Sequence, residues 1–160
     1  MMKSQNWICY LIISLDDSQT YIGSTPDFNR RLAKHNSGRG AKRTMGRVWL
    51  PVLIIEGFHD KRACLSFESG WKRLYKTRCQ ERLYALNLMA NANYAYQGKD
   101  PLWNRLLDLL YFTHHVSLLD TQYRLNSTLQ HPRCLTKLMI HVMSHYDLEE
   151  MPWPALIEVS

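Results

Sequence analysis

Residues Trp7 to Leu15 (WICYLIISL) form an unbroken apolar run with polar residues on either side. Such a run without alternation predicts a strand covered on both faces. Asp16-Asp17-Ser18 carries turn chemistry and Gln19 to Gly23 resumes as a strand, so the pair predicts a hairpin. Gly23 permits a tight turn, Thr25 is placed to cap a helix, and Pro26 to be its first residue, with Asn36 near its end. Phe28 and Leu32 share one stripe of that helix, which faces a core. Asp27, Arg31 and His35 form a neighbouring line, so Arg31 and His35 project together. Ser37 to Arg47 contains three glycines and four cations, the composition of a surface loop. Val48 to Gly57 is a third strand, and Pro51 places it at an edge or delays its start.

Asp60 can cap the next helix, which runs to about Tyr75 with Ala63, Phe67 and Leu74 on one stripe. Asp100-Pro101 starts another, followed by Leu102, Leu106, Leu109 and Leu110 at helical spacing. Segments 121–130 and 134–147 also read as helical, with Pro132 between them. The order strand, strand, helix, strand, helix, then helices alone, predicts an α+β unit followed by an all-helical C-terminal region. The corresponding domains are residues 1–82 and 83–160. Trp103, Tyr111 and Phe112 stand at helical spacings and read as core residues rather than a stacking platform.

Charge divides the chain in the same place. Residues 1–82 hold 15 Lys and Arg against 7 Asp and Glu, whereas residues 83–160 hold 5 against 7. A basic half joined to a slightly acidic one points to a polyanion gripped by the first half, with nucleic acid the leading candidate. No apolar run reaches the roughly 20 residues a membrane span needs. The N-terminus lacks a secretory signal pattern, so the cytoplasm or nucleus is expected. Cys9, Cys64, Cys79 and Cys134 are widely spaced, which fits unpaired buried thiols in a reducing compartment better than a zinc ribbon. His141 and His145 lie four apart without a third ligand and read as ordinary helix histidines.

Glu68 emerges between Cys64 and Trp71 on an apolar stripe of its helix. An unpaired carboxylate there is costly, so it calls for a cation: a metal ion, Arg31, or a lysine such as Lys72. Tyr10 and Tyr21 sit in strands that a short hairpin brings together. Taken with Tyr-Ile-Gly at 21–23, Arg31, His35 and the helical Glu68, these residues resemble the GIY-YIG nuclease superfamily. The likeness is closest to the eukaryotic-type catalytic subunits of structure-selective endonucleases that cut branched DNA. It is carried by Cys9-Tyr10-Leu11, Tyr21 to Pro26, Arg30-Arg31-Leu32, His35-Asn36, Gly40 to Thr44, Trp49, Gly57-Phe58 and Phe67 to Trp71. The leading glycine of the first motif is absent, since Ile8-Cys9-Tyr10 stands there.

The resemblance spans about residues 7–75 and implies a small three-stranded antiparallel sheet flanked by helices, with Tyr10, Tyr21, Arg31, His35 and Glu68 meeting on one surface. Such subunits commonly carry a C-terminal RING-type zinc domain that docks on a scaffold protein. Its ligand pattern is missing from residues 83–160, so neither structural zinc nor that docking mode is expected.

Glu68 is the only acid of the basic half placed like a ligand, which suggests one ion, Mg²⁺ or Mn²⁺, completed by water and a substrate phosphate. Arg31 would clamp the scissile phosphate. The base is left between Tyr10 and Tyr21, with His35 orienting or relaying the proton; histidine alone titrates near neutrality unaided, whereas the resemblance favours a tyrosine. Lys34, Arg39, Lys42, Arg43, Arg47, Lys72 and Arg73 are the candidate phosphate contacts, which position DNA without reading its bases. The expected activity is metal-dependent hydrolysis of branched DNA. The competing readings are a non-cutting nucleic-acid-binding module, an adaptor built on the helical region, and a sequence-specific nuclease.

Overall fold

The computed structural model describes residues 5–77, 100–125, 137–143, 146–155 and 157–160. Strands β1 (Ile8–Ser14) and β2 (Thr20–Thr25) form the anticipated antiparallel hairpin, with Tyr10 opposite Gly23 and Ile12 opposite Tyr21. Helix α1 (Phe28–Asn36) follows, then a 3-10 turn at Lys42–Thr44, strand β3 (Trp49–Glu56) and helix α2 (Lys61–Arg73). A second 3-10 turn (Leu74–Thr77) precedes helix α3 (Pro101–Leu125), strand β4 (Leu138–Val142) and strand β5 (Ile157–Val159).

The α+β class holds, but the sheet has five strands in the order β2-β1-β3-β4-β5 rather than three. The region after residue 82 is therefore not all-helical. β4 pairs antiparallel with β3, and β5 joins β4 in parallel. The helical expectation for 134–147 fails at residues 138–142 (LMIHV), because a run this short satisfies either period and the open edge of β3 selects the strand. His141 consequently lies on a strand; it bonds Glu56 at 2.7 Å and Ser160 at 2.9 Å. His145, Cys79, Cys134 and segment 126–130 lie outside the described residues.

Several local expectations shift for identifiable reasons. Asp27, not Thr25, caps α1: its carboxylate accepts from the Arg30 amide at 3.1 Å, while Thr25 exchanges hydrogen bonds with Asp27. Pro51 sits inside the sheet, where the β1–β3 register shifts. Pairing of β3 with β4 begins only at Leu53, so the missing N–H of Pro51 is not required. The buried stripe of α2 is Cys64, Phe67 and Trp71: Phe67 is where it was expected, while Ala63 and Leu74 are only partly buried and Cys64 and Trp71 take their places. Asp60 and Asp100 cap α2 and α3 as anticipated.

The pleat of β1 divides the interior. Cys9, Leu11 and Ile13 face the larger core with Phe67, Trp71, Leu107, Leu110, Ile140 and Leu148, and Trp103, Tyr111 and Phe112 pack against it. Tyr10 and Ile12 face the opposite side with Trp49, Phe28 and Leu32. Phe67 and Phe112 meet at a centroid separation of 5.0 Å, and the Trp71 indole N–H donates to the Arg105 carbonyl at 3.0 Å, so α2 is held between the sheet and α3. Among the described residues no helix is long and apolar enough to cross a membrane.

Because Ile140 is 0% exposed within the same core as Leu11 and Ile55, Ile140→Ala should lower unfolding stability by about 2–5 kcal/mol. Urea denaturation followed by tryptophan fluorescence should show one transition displaced as a whole. Loss of a separate minor transition, with the main one unmoved, would contradict a shared core.

Candidate active site

Tyr10 enters from β1, Tyr21 from β2, and Arg31 and His35 from successive turns of α1. The ring centroids of Tyr10 and Tyr21 are 6.3 Å apart, and those of Tyr21 and His35 are 5.0 Å apart. His35 is 0% exposed, although its helix is otherwise largely open to solvent. A buried imidazole needs partners for both nitrogens. Nε2 meets the Tyr10 hydroxyl at 2.8 Å, and Nδ1 meets the Thr44 hydroxyl at 2.8 Å.

The direction of these bonds follows from their ends. The Thr44 hydroxyl gives its only hydrogen to the Ala41 carbonyl at 2.8 Å, so it accepts from His35 Nδ1–H. His35 Nε2 is then a bare acceptor and takes the hydrogen of Tyr10. The Tyr10 oxygen in turn accepts from Arg31 Nε at 3.4 Å. The chain Arg31, Tyr10, His35, Thr44, Ala41 thus runs in one direction without a clash of donors.

Electrostatics agree with that assignment. Burial, helped by the Arg31 charge, lowers His35 from 6.5 to about 4, so the imidazole is neutral near pH 7. Burial pushes the Tyr10 phenol well above its ordinary range despite its hydrogen bond from Arg31, so Tyr10 keeps its proton in the resting protein. The hydrogen bond from Arg31 to Tyr10 raises the guanidinium's pKa further, with Tyr21 adding to the effect.

Small residues make room for this network. Gly23 has an ordinary strand conformation, so its role is not the turn foreseen for it; a Cβ there would strike the Tyr10 hydroxyl and ring. A Cβ on Gly40 would approach His35 Nδ1 to 2.6 Å. Asn36 locks the end of α1 to β3: its side chain accepts from the Trp49 amide at 2.7 Å and donates to the Trp49 carbonyl at 3.2 Å. The Trp49 indole donates to the Thr44 carbonyl at 2.9 Å, which fixes the turn that carries Thr44. Thr44 was visible only as the last residue of a motif; its role needs the fold, because nothing local marks which hydroxyl will meet a buried histidine.

Glu68 reaches the cluster from α2, which packs on β1 and β2. Its carboxylate, 15% exposed, pairs with Lys72 at 3.0 Å. The Lys72 ammonium stands 5.3 Å from the Tyr21 ring centroid, so Lys72 ties Glu68 to the tyrosine side of the site. Of the three cations anticipated for Glu68, Lys72 is the one in contact with it.

Among the described residues no three His, Cys, Asp or Glu side chains gather as a metal cage. One half-buried carboxylate fits an ion that keeps most of its water, as Mg²⁺ or Mn²⁺ does, better than one needing four protein ligands. The neighbouring thiols are inert, since burial raises Cys9 strongly and Cys64 to about 11.

The remaining predicted cations surround this centre unevenly. Lys34, Arg39, Lys42, Arg43 and Arg73 are exposed. Lys42 and Arg43 share the short turn with Thr44, so they lie next to the buried relay. Arg47 is exposed too, but pairs with Asp16 at 3.3 Å and pins the β1–β2 turn.

Residues 6–83 match the GIY-YIG catalytic domain. The chain is 50% identical over 157 residues to an uncharacterized protein of Acanthamoeba polyphaga mimivirus, covering 95% of this chain and 94% of that protein. It is 39% identical over 115 residues to the structure-specific endonuclease subunit SLX1 of Vanderwaltozyma polyspora, covering 68% of this chain and 36% of that protein. Likeness to the subunit of the same name from Talaromyces marneffei is 45% over 78 residues, 45% of this chain and 20% of that one. The chain therefore spans only about a third, or less, of the length of these two named endonuclease subunits. With Tyr10, Tyr21, Arg31 and His35 gathered in one cluster and Glu68 tied to it through Lys72, the chain belongs to the GIY-YIG endonuclease family.

Proposed function

We propose that the protein hydrolyses phosphodiester bonds in branched DNA, such as flaps, forks and four-way junctions, and selects them by shape. The observation that carries this reading is the one-way chain from Arg31 through Tyr10 to a neutral His35, beside the Glu68 carboxylate. The substrate class draws on the printed names of the fungal relatives, which are structure-specific endonuclease subunits. The exposed cations Lys42 and Arg43 share the turn of Thr44 beside the buried relay, where contacts to phosphate would position DNA without reading its bases.

The chemistry follows from proton positions. Tyr10 is 0% exposed, with Arg31 on its hydroxyl. A DNA phosphate draws the Arg31 guanidinium onto itself and opens the Tyr10 oxygen to a water. That water attacks phosphorus and loses a proton to the Tyr10 oxygen, while Tyr10 passes its own hydrogen to His35 Nε2. A P–O bond forms to the water oxygen, the bond to the leaving ester oxygen breaks, and the departing oxygen takes a proton from solvent. Thr44 holds the Nδ1–H tautomer throughout, so Nε2 is always the receiving nitrogen. Glu68 would hold a divalent ion, which would supply positive charge against the charge that develops in the transition state. Tyr21 has no base behind it among the described residues and serves to position Arg31 and the phosphate.

Cleavage of flap and junction DNA by the purified protein with Mg²⁺, abolished by EDTA and by Glu68→Gln, is the direct test. DNA binding without cutting by the wild type would favour a non-cutting module instead. Because His35 must be unprotonated, kcat/KM should fall as pH drops through about 4 and stay level from about 5.5 to 8. His35→Asn should lower the rate about 10²–10⁴-fold and remove that acid limb. Tyr10→Phe should cost more than Tyr21→Phe; the reverse order would move the water to Tyr21 and refute the relay.

Lys42→Ala and Arg43→Ala should weaken binding alike across unrelated DNA sequences. Each should reduce the slope of log affinity against log salt by about one. A variant that instead changed sequence preference would contradict shape selection.

A further inference from the structure

We propose that Lys72 gates the entry of the divalent ion to Glu68, holding the carboxylate in the free protein and giving it up when DNA arrives. The inference rests on the nuclease reading above and concerns a residue that the catalytic steps do not use.

Glu68 and Lys72 are four residues apart on α2, with the acid on the N-terminal side, the favoured order for such a pair. The contact is made at Glu68 Oε1 at 3.0 Å, and the carboxylate is 15% exposed against 40% for the lysine. The acid is therefore the confined partner and the lysine the one able to leave. Arg31 turns its Nε to the Tyr10 hydroxyl at 3.4 Å, and Lys72 is the cation in contact with the carboxylate.

A carboxylate oxygen binds Mg²⁺ at about 2.0–2.1 Å. An ammonium left at its present distance from the same oxygen would repel that ion strongly. Binding of the ion to Oε1 thus requires Lys72 to withdraw. The lysine has a second contact: its ammonium stands 5.3 Å from the centroid of the Tyr21 ring, and Arg31 interacts with the same tyrosine. A bound phosphate offers the ammonium a new partner and returns Glu68 to the ion. Ion and DNA should therefore bind with positive coupling, through a competition at one carboxylate oxygen.

The test uses the full chain and Mn²⁺ alone, with free Mn²⁺ measured by electron paramagnetic resonance so that no cleavage is needed. Lys72→Met and Lys72→Gln should each bind Mn²⁺ roughly threefold to tenfold more tightly than wild type. Lys72→Arg should stay near wild type, and Glu68→Gln should lose the binding. Without metal, Lys72→Met should also melt below wild type, and Mn²⁺ should raise its Tm by more than it raises that of wild type. Equal or weaker Mn²⁺ binding by both neutral variants, with Glu68→Gln still inactive in binding, would overturn the gate and leave the metal site standing. Mn²⁺ binding that survives Glu68→Gln unchanged would overturn both.

Discussion

A buried neutral imidazole organises this protein. His35 is enclosed, and each of its nitrogens has one hydroxyl partner, Tyr10 on one side and Thr44 on the other. An uncompensated imidazole in such a place would be costly, so the strand, the helix and the loop that supply these partners must keep their relative positions. That requirement accounts for features that otherwise look unrelated. Gly23 and Gly40 clear space for the ring and its phenol, Asn36 anchors the helix end, and Trp49 holds the turn bearing Thr44.

The division of labour across the sheet has the same origin. One face of β1 contributes Tyr10 to the α1 side, and the other contributes Cys9 and Leu11 to the core beneath α2 and α3. Glu68 belongs to a helix of the second side and comes to the site along the flank of β2, where Lys72 reaches the Tyr21 ring. The site thus straddles the β2 edge of the sheet, while β4 and β5 close the region beyond β3. Arg31, partly exposed on α1, stands where the buried relay meets the solvent.

Much of this was legible in the chain because it is local. The hairpin, α1, β3, the capped starts of α2 and α3, and the shared face of Arg31 and His35 all depend on spacing and turn chemistry within about ten residues. The resemblance to GIY-YIG nucleases added which polar residues belong together, Glu68 included. The C-terminal strands were not legible, since LMIHV and IEV are too short for periodicity to separate strand from helix. The state of β4 follows from the otherwise unpaired edge of β3, a partner more than eighty residues away in sequence, and that of β5 from the edge β4 then offers. The pairing of Lys72 with Glu68 was open to helical spacing, which puts the two four residues apart, but spacing cannot say whether the ammonium also turns toward Tyr21.

By itself, the sequence determined the α+β order of the first half and its basic charge, and the family resemblance named five side chains expected to meet in a site. Only the tertiary structure decided that His35 is buried and neutral, that Thr44 sets its tautomer, that Tyr10 donates to it, and that Lys72 rather than Arg31 faces Glu68. The physical reason is that hydrogen-bond direction and protonation depend on which groups share a space without water. That is a property of packed neighbours, and spacing along the chain does not encode it.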